Sequence, residues 1–347
     1  MGIGIPDVHA AFKWYRQHFG VDVPIFEEAA TAGLMLPYTG GQPRDRHAIL
    51  ALNGHGGGGM EIWQYTSRVP QPPDFKVKLG DLGLFACKIK CVDAETAFHF
   101  LRKKGAMLLG GLENAPDGRP HFFVRDPWGN VFEIISSDEF FSKPNLEKGS
   151  TGGVFGATIG VSDIEKSVEF YGKILGYDEM VFDSTDKFRD FAGLDGGFET
   201  VRRVLLRHSA SRTGPFSPLL GKTEIELVQV QSRTPRKIFE NRLWGDLGFI
   251  HLCFDIQGME AMREKCTAAG HPFTVDSGAD SFDMGEAAGH FSYIEDPDGT
   301  LIEFVETHKV PIMKKFGWFL DLKKRSDPAK PLPRWMIKAM SLGRVKD

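Results

Sequence analysis

The chain has 347 residues, 41% of them hydrophobic and 25% charged, the balance of a soluble globular protein long enough for two domains with ordinary cores. Its net charge of −4 is uneven, because residues 312–347 carry ten Lys and Arg against three Asp and the rest is acidic, which argues against nucleic acid as a partner. No apolar run reaches membrane-spanning length, MGIGIPDVHA lacks the basic flank and apolar run of a signal peptide, and Pro6 stands where a myristoylation signal needs Ser or Thr. The four cysteines, Cys87, Cys91, Cys253 and Cys266, lie in apolar segments without a CxxC pair, which fits a reducing cytoplasm.

Four segments follow one plan, a fixed repeat that outranks any single motif. Each opens with an apolar strand: GIGIPD (2–7), LFACKIKCVD (84–93), GATIGVSD (156–163) and FIHLCFDIQG (249–258). A short amphipathic helix follows. In the first unit Phe12, Tyr15 and Phe19 share a face and Gly20 stops the helix; in the third, Val168, Tyr171 and Leu175 do so and Gly176 is the stop. Strands then close each unit, and the last reads GMEIWQY, NVFEIIS, EIELVQV or TLIEFVE, with Glu61, Glu133, Glu226 and Glu303 inside it. Side chains alternate faces along a strand. A carboxylate on the inner face of a curled sheet is costly unless it meets a counter-ion or a cation, so four at one offset predict a purpose.

This plan, with DPxG turns in HFFVRDPWGNVFEII and FSYIEDPDGTLIEFVE, resembles the vicinal oxygen chelate superfamily. That group includes glyoxalase I, extradiol dioxygenases, and fosfomycin- and bleomycin-resistance proteins. The resemblance covers about residues 1–310. It implies an α+β fold of four βαβββ units forming two paired modules with curled mixed sheets. The division follows the sequence: residues 1–142 for units one and two, 150–310 for units three and four, and a basic tail over 311–347.

Family metal ligands come from the first and last strands of a unit. The first-strand position falls on Ala86, Gly156 and His251 in units two to four, and just before Met1 in unit one. Two pairings are open. If neighbours pair, Glu226, His251 and Glu303 meet; if unit one pairs with unit four, Glu61 replaces Glu226. The expected metal residues are therefore Glu61, His251, Glu303 and Glu226, with Glu303 also the catalytic base. One imidazole among carboxylates suits a divalent ion, Zn, Ni, Co, Mn or Fe. The implied activity is glyoxalase I-like isomerase or lyase chemistry on a small-molecule substrate with vicinal oxygens. The alternatives are an extradiol-type dioxygenase, against which Gly156 counts, and a non-catalytic resistance-type binder. Neither nucleic acid nor membrane is expected as a partner, and a homodimer stays open.

Other features are assigned locally. Lys88 and Lys90 share the face of Ala86 and are expected to neutralise Glu133 or Glu226. Cys253 lines the cup or packs. The glycine run in NGHGGGGMEIWQ precedes a strand rather than a helix, so it reads as a flexible hairpin or lid and not a phosphate loop. Asp126 and Asp296 cap their turns. Trp63, Phe132 and Phe304 are assigned to the core side of the glutamate strands. Trp335, Met336 and Met340 form the apolar stripe of a short basic helix docked on the acidic body.

Overall fold

The computed structural model describes residues 1–144, 146–278, 282–283, 288–313 and 317–346. Unit one comprises β1 (Gly2–Gly4), α1 (Val8–Phe19), β2 (Val23–Thr31), β3 (Asp45–Leu52) and β4 (Met60–Tyr65). Unit two comprises β5 (Gly83–Cys91), α2 (Ala94–Lys103), β6 (Met107–Asn114), β7 (Pro120–Arg125) and β8 (Val131–Ser136). Unit three has β9 (Thr151–Gly160), α3 (Ile164–Leu175), β10 (Glu179–Asp186), β11 (Val201–Arg207), the one-turn α4 (Ser217–Leu220) and β12 (Glu224–Val230). Unit four has β13 (Gly248–Asp255), α5 (Met259–Ala268), β14 (Val275–Asp276), β15 (Phe282–Asp283), β16 (Ala288–Glu295) and β17 (Leu301–Met313). The tail adds β18 (Trp318–Asp321) and α6 (Arg334–Met340).

The helices start and stop where the residues require. Asp7 Oδ1 accepts from the His9 and Ala10 amides, both at 3.0 Å, satisfying donors that a helix start leaves orphaned. Gly20 closes α1 at φ +62° and Gly176 closes α3 at φ +77°, left-handed conformations in which a side chain would be strained. No helix among the described residues is long and apolar enough to cross a membrane.

Two curled mixed sheets result. The first runs β14-β16-β17-β13-β1-β4-β3-β2, with β15 on β16 and β18 on β17; the second runs β10-β11-β12-β9-β5-β8-β7-β6. Of the two pairings open in the sequence, the structure has unit one with unit four and unit two with unit three. Each sheet therefore takes one unit from either side of residues 142–150, joined by β1–β13 in one and β5–β9 in the other, both antiparallel. Within each sequence half the two units meet through a helix and a turn instead. Tyr15 of α1 donates to Asp126 Oδ2 at 2.7 Å in the turn of unit two, and Tyr171 of α3 donates to Asp296 Oδ2 at 3.0 Å in the turn of unit four. The other oxygen of each Asp caps its turn, as expected: Asp126 Oδ1 takes the Trp128 and Asn130 amides and Asp296 Oδ1 those of Asp298 and Thr300.

Strand alternation sorts the faces. Ile62, Phe132, Ile134, Ile225, Leu227, Ile302 and Phe304 join the large core beneath the helices, and a fully buried aliphatic or aromatic side chain stabilises by roughly 1.5–3 kcal/mol. The glutamates between them face the cups. Trp63 departs from its assignment: two residues from Glu61, it shares that carboxylate's face, is fully buried, and packs 4.7 Å from Trp244 by ring centroids. The glycine run departs too. Gly58 bridges Val154 of the second sheet, the Gly57 amide donates to Leu219 O at 2.8 Å, and a Cβ at Gly57 would meet the Gly153 backbone at 2.7 Å. Close backbone approach, and not a lid, uses these glycines.

The basic tail docks on the body. Ile337 packs with Phe141, Phe216, Leu219 and Val310, Arg344 Nε lies 3.1 Å from Asp22 Oδ1, and the Val345 amide donates to Asp22 O at 2.8 Å. The stripe is Met336, Ile337 and Met340, whereas Trp335 is 60% exposed.

Candidate metal centre

Glu61, His251 and Glu303 converge on the floor of the first cup. The register makes this happen: Gly2 of β1 is the lateral partner of both Glu61 on β4 and His251 on β13, and Glu303 on β17 is paired with Cys253, two residues beyond His251. Lateral partners share a face, so the three side chains point the same way. Gly2 cannot be larger. A Cβ there would stand 2.4 Å from the His251 ring.

His251 Nε2 lies 3.1 Å from Glu61 Oε2 and 3.3 Å from Glu303 Oε2, yet it is fully buried and makes no hydrogen bond of acceptable geometry. One donor atom from each residue lies within 4.8 Å of the others. Neighbouring donors on a first-row ion with bonds of about 2.0–2.1 Å stand roughly 3.0–3.4 Å apart. An orphaned buried nitrogen facing two carboxylates at that spacing fits a divalent cation.

The far side of the ring is also arranged. Nδ1 is 3.3 Å from Trp244 Nε1 and 3.4 Å from the Tyr293 hydroxyl, which donates its own proton to Glu303 Oε1 at 2.8 Å. With the proton on Nε2, Trp244 donates to Nδ1. With the proton on Nδ1, the Tyr293 oxygen accepts it and the Nε2 lone pair faces the carboxylates, the tautomer a metal ligand needs. Neither Trp244 nor Tyr293 was identified from the sequence, although Tyr293 is the direct partner of Glu303 across the DPDG hairpin.

The two carboxyls are pushed apart. Burial raises Glu61, but the adjacent His251 outweighs it and leaves Glu61 below the usual range; burial, with the Glu61 charge, holds Glu303 above it. Burial and the Glu303 charge also drive the Cys253 thiol well up. Cys253 is open to the space above the site although it lies deep in the fold.

That space is a cavity of about 560 Å³ between the sheets, walled mainly by apolar groups, including Leu50, Trp63, Trp244, Phe291 and Val305, with Met340 of the tail helix as one wall. Arg46 in its lining is tied to Glu28 at 2.8 Å.

Glu226 does not join the triad. Pairing of β12 with β9 places it in the second cup, where Lys88 Nζ lies 2.7 Å from Glu226, 3.1 Å from Glu133 and 3.1 Å from Glu224. Burial opposes the Lys88 charge, but the three carboxylates outweigh it and hold the ammonium well above its ordinary range. Arg203, 1% exposed, joins Glu226 to Asp190, and His121 Nδ1 meets Glu133 Oε1 at 2.6 Å. This cup is filled by fixed cations. Lys90, the other expected counter-ion, points elsewhere and donates to Glu139 O at 2.7 Å.

The model of the Glyoxalase/Bleomycin resistance protein/Dioxygenase superfamily matches residues 1–134 and 154–304. Glyoxalase I from Zea mays is similar in structure, with a TM-score of 0.54 at 14% identity over 88% of this chain and 90% of that one. A putative dioxygenase from Bacillus subtilis scores 0.53 at 13% identity, over 88% and 83%. At such identities the likeness is one of fold. Among curated proteins, none matches the chain.

Proposed function

The chain belongs to the Glyoxalase/Bleomycin resistance protein/Dioxygenase superfamily, and from that footing we propose that it is a metal-dependent isomerase or lyase with glyoxalase I-like chemistry. The observation that carries this is the convergence of Glu61, His251 and Glu303 beneath the cavity. These three residues would hold the cation, with Zn, Ni, Co, Mn and Fe all compatible with one nitrogen and two oxygen donors. When bound, such an ion supplies Lewis-acid stabilisation of charge on the substrate's vicinal oxygens.

The residues divide the remaining work. Glu303 takes the carbon-bound proton and returns it, because it faces the cavity at the triad with its second oxygen held by Tyr293. Tyr293 fixes the rotamer of Glu303 through Oε1, and Glu61 keeps its charge. The apolar walls exclude water and favour a small, largely apolar substrate. The same reading puts the protein in a reducing, cytoplasmic compartment, in line with four free cysteines.

The extradiol dioxygenase reading draws its ligands from units three and four together and needs its first histidine at Gly156, which here lies in the other sheet from His251. A Cβ at Gly156 would stand 2.0 Å from Glu224 O, so no side chain fits there.

Calorimetric titration with Zn, Ni, Mn and Fe(II) on the wild type, His251→Ala and Glu303→Gln tests the proposal, alongside solvent deuterium exchange into α-hydroxycarbonyl and hemithioacetal compounds. His251→Ala should lose at least ~10-fold in affinity. Glu303→Gln should retain more metal than His251→Ala but catalyse no exchange. Equal metal uptake by wild type and His251→Ala would leave a non-catalytic binder.

A further inference from the structure

We propose a second transition-metal site on the outer surface, formed by His9, Glu27 and His47, taking Zn2+ or Cu2+ independently of the cavity. His9 stands in the first turn of α1, Glu27 on β2 and His47 on β3. Glu28 and Arg46 line the cavity, so their strand neighbours Glu27 and His47 face the opposite side of the sheet, toward the start of α1.

Both imidazoles aim the same atom at the same oxygen. Glu27 Oε1 is 3.0 Å from His47 Nε2 and 3.7 Å from His9 Nε2. These distances bracket the ~3.3 Å between two donors bonded to one tetrahedral ion at about 2.0–2.1 Å. The rings meet edge to face with centroids 5.1 Å apart, and one donor atom of each residue lies within 4.8 Å of the other two. Two nitrogens and one oxygen suit Zn2+ and, more strongly, Cu2+.

Charge points the same way. Among the described residues, the ion pairs of Glu27 run to His9 and His47 and not to Lys or Arg. The carboxylate therefore lacks a permanent Lys or Arg counter-charge among the described residues, and a divalent ion would supply one. The frame is rigid on each side: Asp7 caps α1, and the β2–β3 ladder pairs Ala29 with His47 and Glu27 with Ile49. His9 and Glu27 side chains are 65% and 49% exposed, which leaves open positions for water. A bound ion would staple the start of α1 to the edge strand of the first sheet.

The test compares the full-length wild type with His9→Asn/His47→Asn, using Zn2+ calorimetry at pH 7.5 and 5.5 and Cu2+ electron paramagnetic resonance. The wild type should take one more equivalent of Zn2+ than the double variant, whatever the cavity binds. The Cu2+ spectrum of His251→Ala should show two coupled nitrogens, falling to one on His9→Asn. The extra equivalent should vanish at pH 5.5, where protons compete for the imidazoles. An unchanged melting temperature without metal checks that the double variant is folded. Equal stoichiometry in the two proteins, or copper coupling that survives the double substitution, would overturn the site.

Discussion

The Tyr15 hydroxyl reaches across 2.7 Å to Asp126, tying the helix of unit one to the turn of unit two, and Tyr171 repeats the bond to Asp296. Burial raises both Asp carboxyls above their ordinary range, and these hydrogen bonds act against it. Tyr15→Phe should cost about 1.5–3 kcal/mol, the worth of a buried hydrogen bond to a charged group, and Tyr171→Phe a similar amount. Urea denaturation measures the loss. Metal uptake should be unchanged in both, since neither residue touches the triad; a parallel drop would mean that the turns also set the site.

Lys88 is the shared cation of Glu133, Glu224 and Glu226. Lys88→Met should destabilise by roughly 3–5 kcal/mol, because removing one member of a buried ion group strands the others. Adding Glu133→Gln should recover part of that loss. Chemical denaturation of the single and double variants checks both, and a Lys88→Met protein as stable as wild type would show that the carboxylates find other partners.

His121 gives the second cup a pH signature. Burial lowers its pKa, but Asp190 and Glu133 on either side outweigh burial and raise it to about 9. A histidine raised in the folded state contributes stability that is complete below its unfolded pKa of about 6.5 and lost as pH climbs through the folded value. Stability should therefore fall between about pH 6.5 and 9, by on the order of 3 kcal/mol from this group. His121→Gln should flatten that slope in denaturation series run at fixed ionic strength.

Gly2→Ala should damage the proposed metal centre more than the fold. The new Cβ would press on the His251 ring at 2.4 Å, and swinging that ring should weaken metal binding by at least ~10-fold. Calorimetry reads the affinity and circular dichroism the sheet content; full affinity would show that the imidazole has room to yield.

The repeat made the units, their helices and the strand glutamates legible, since each rests on local periodicity and turn chemistry. It also put His251 on the correct face. What it could not decide was pairing: all four first strands look alike, and the choice rests on a non-local fit in which Gly2 leaves room for the His251 ring. Tyr293 was within reach, because counting back from the Asp296 turn places it opposite Glu303. Trp244 was not, for it reaches His251 from a loop whose path depends on Trp63 and Gly245 packing tightly. Arg203 left a hint as a cation inside the apolar strand VRRVLLR, but its acids are Glu226 on β12 and Asp190 between β10 and β11, visible only once the sheet is formed.

The strand order nests one sheet inside the other along the chain. The second sheet is built wholly from residues between Gly83 and Val230, whereas the first needs residues before Tyr65 and after Gly248. During synthesis, every strand of the second sheet leaves the ribosome before β13 does. The open edge of β1 must wait for the 243 residues between Gly4 and Gly248, and closing so long a loop is slow. Glu61 is the first of the three converging residues to be made and Glu303 the last, so the assembled triad records that segments far apart in the chain have found each other.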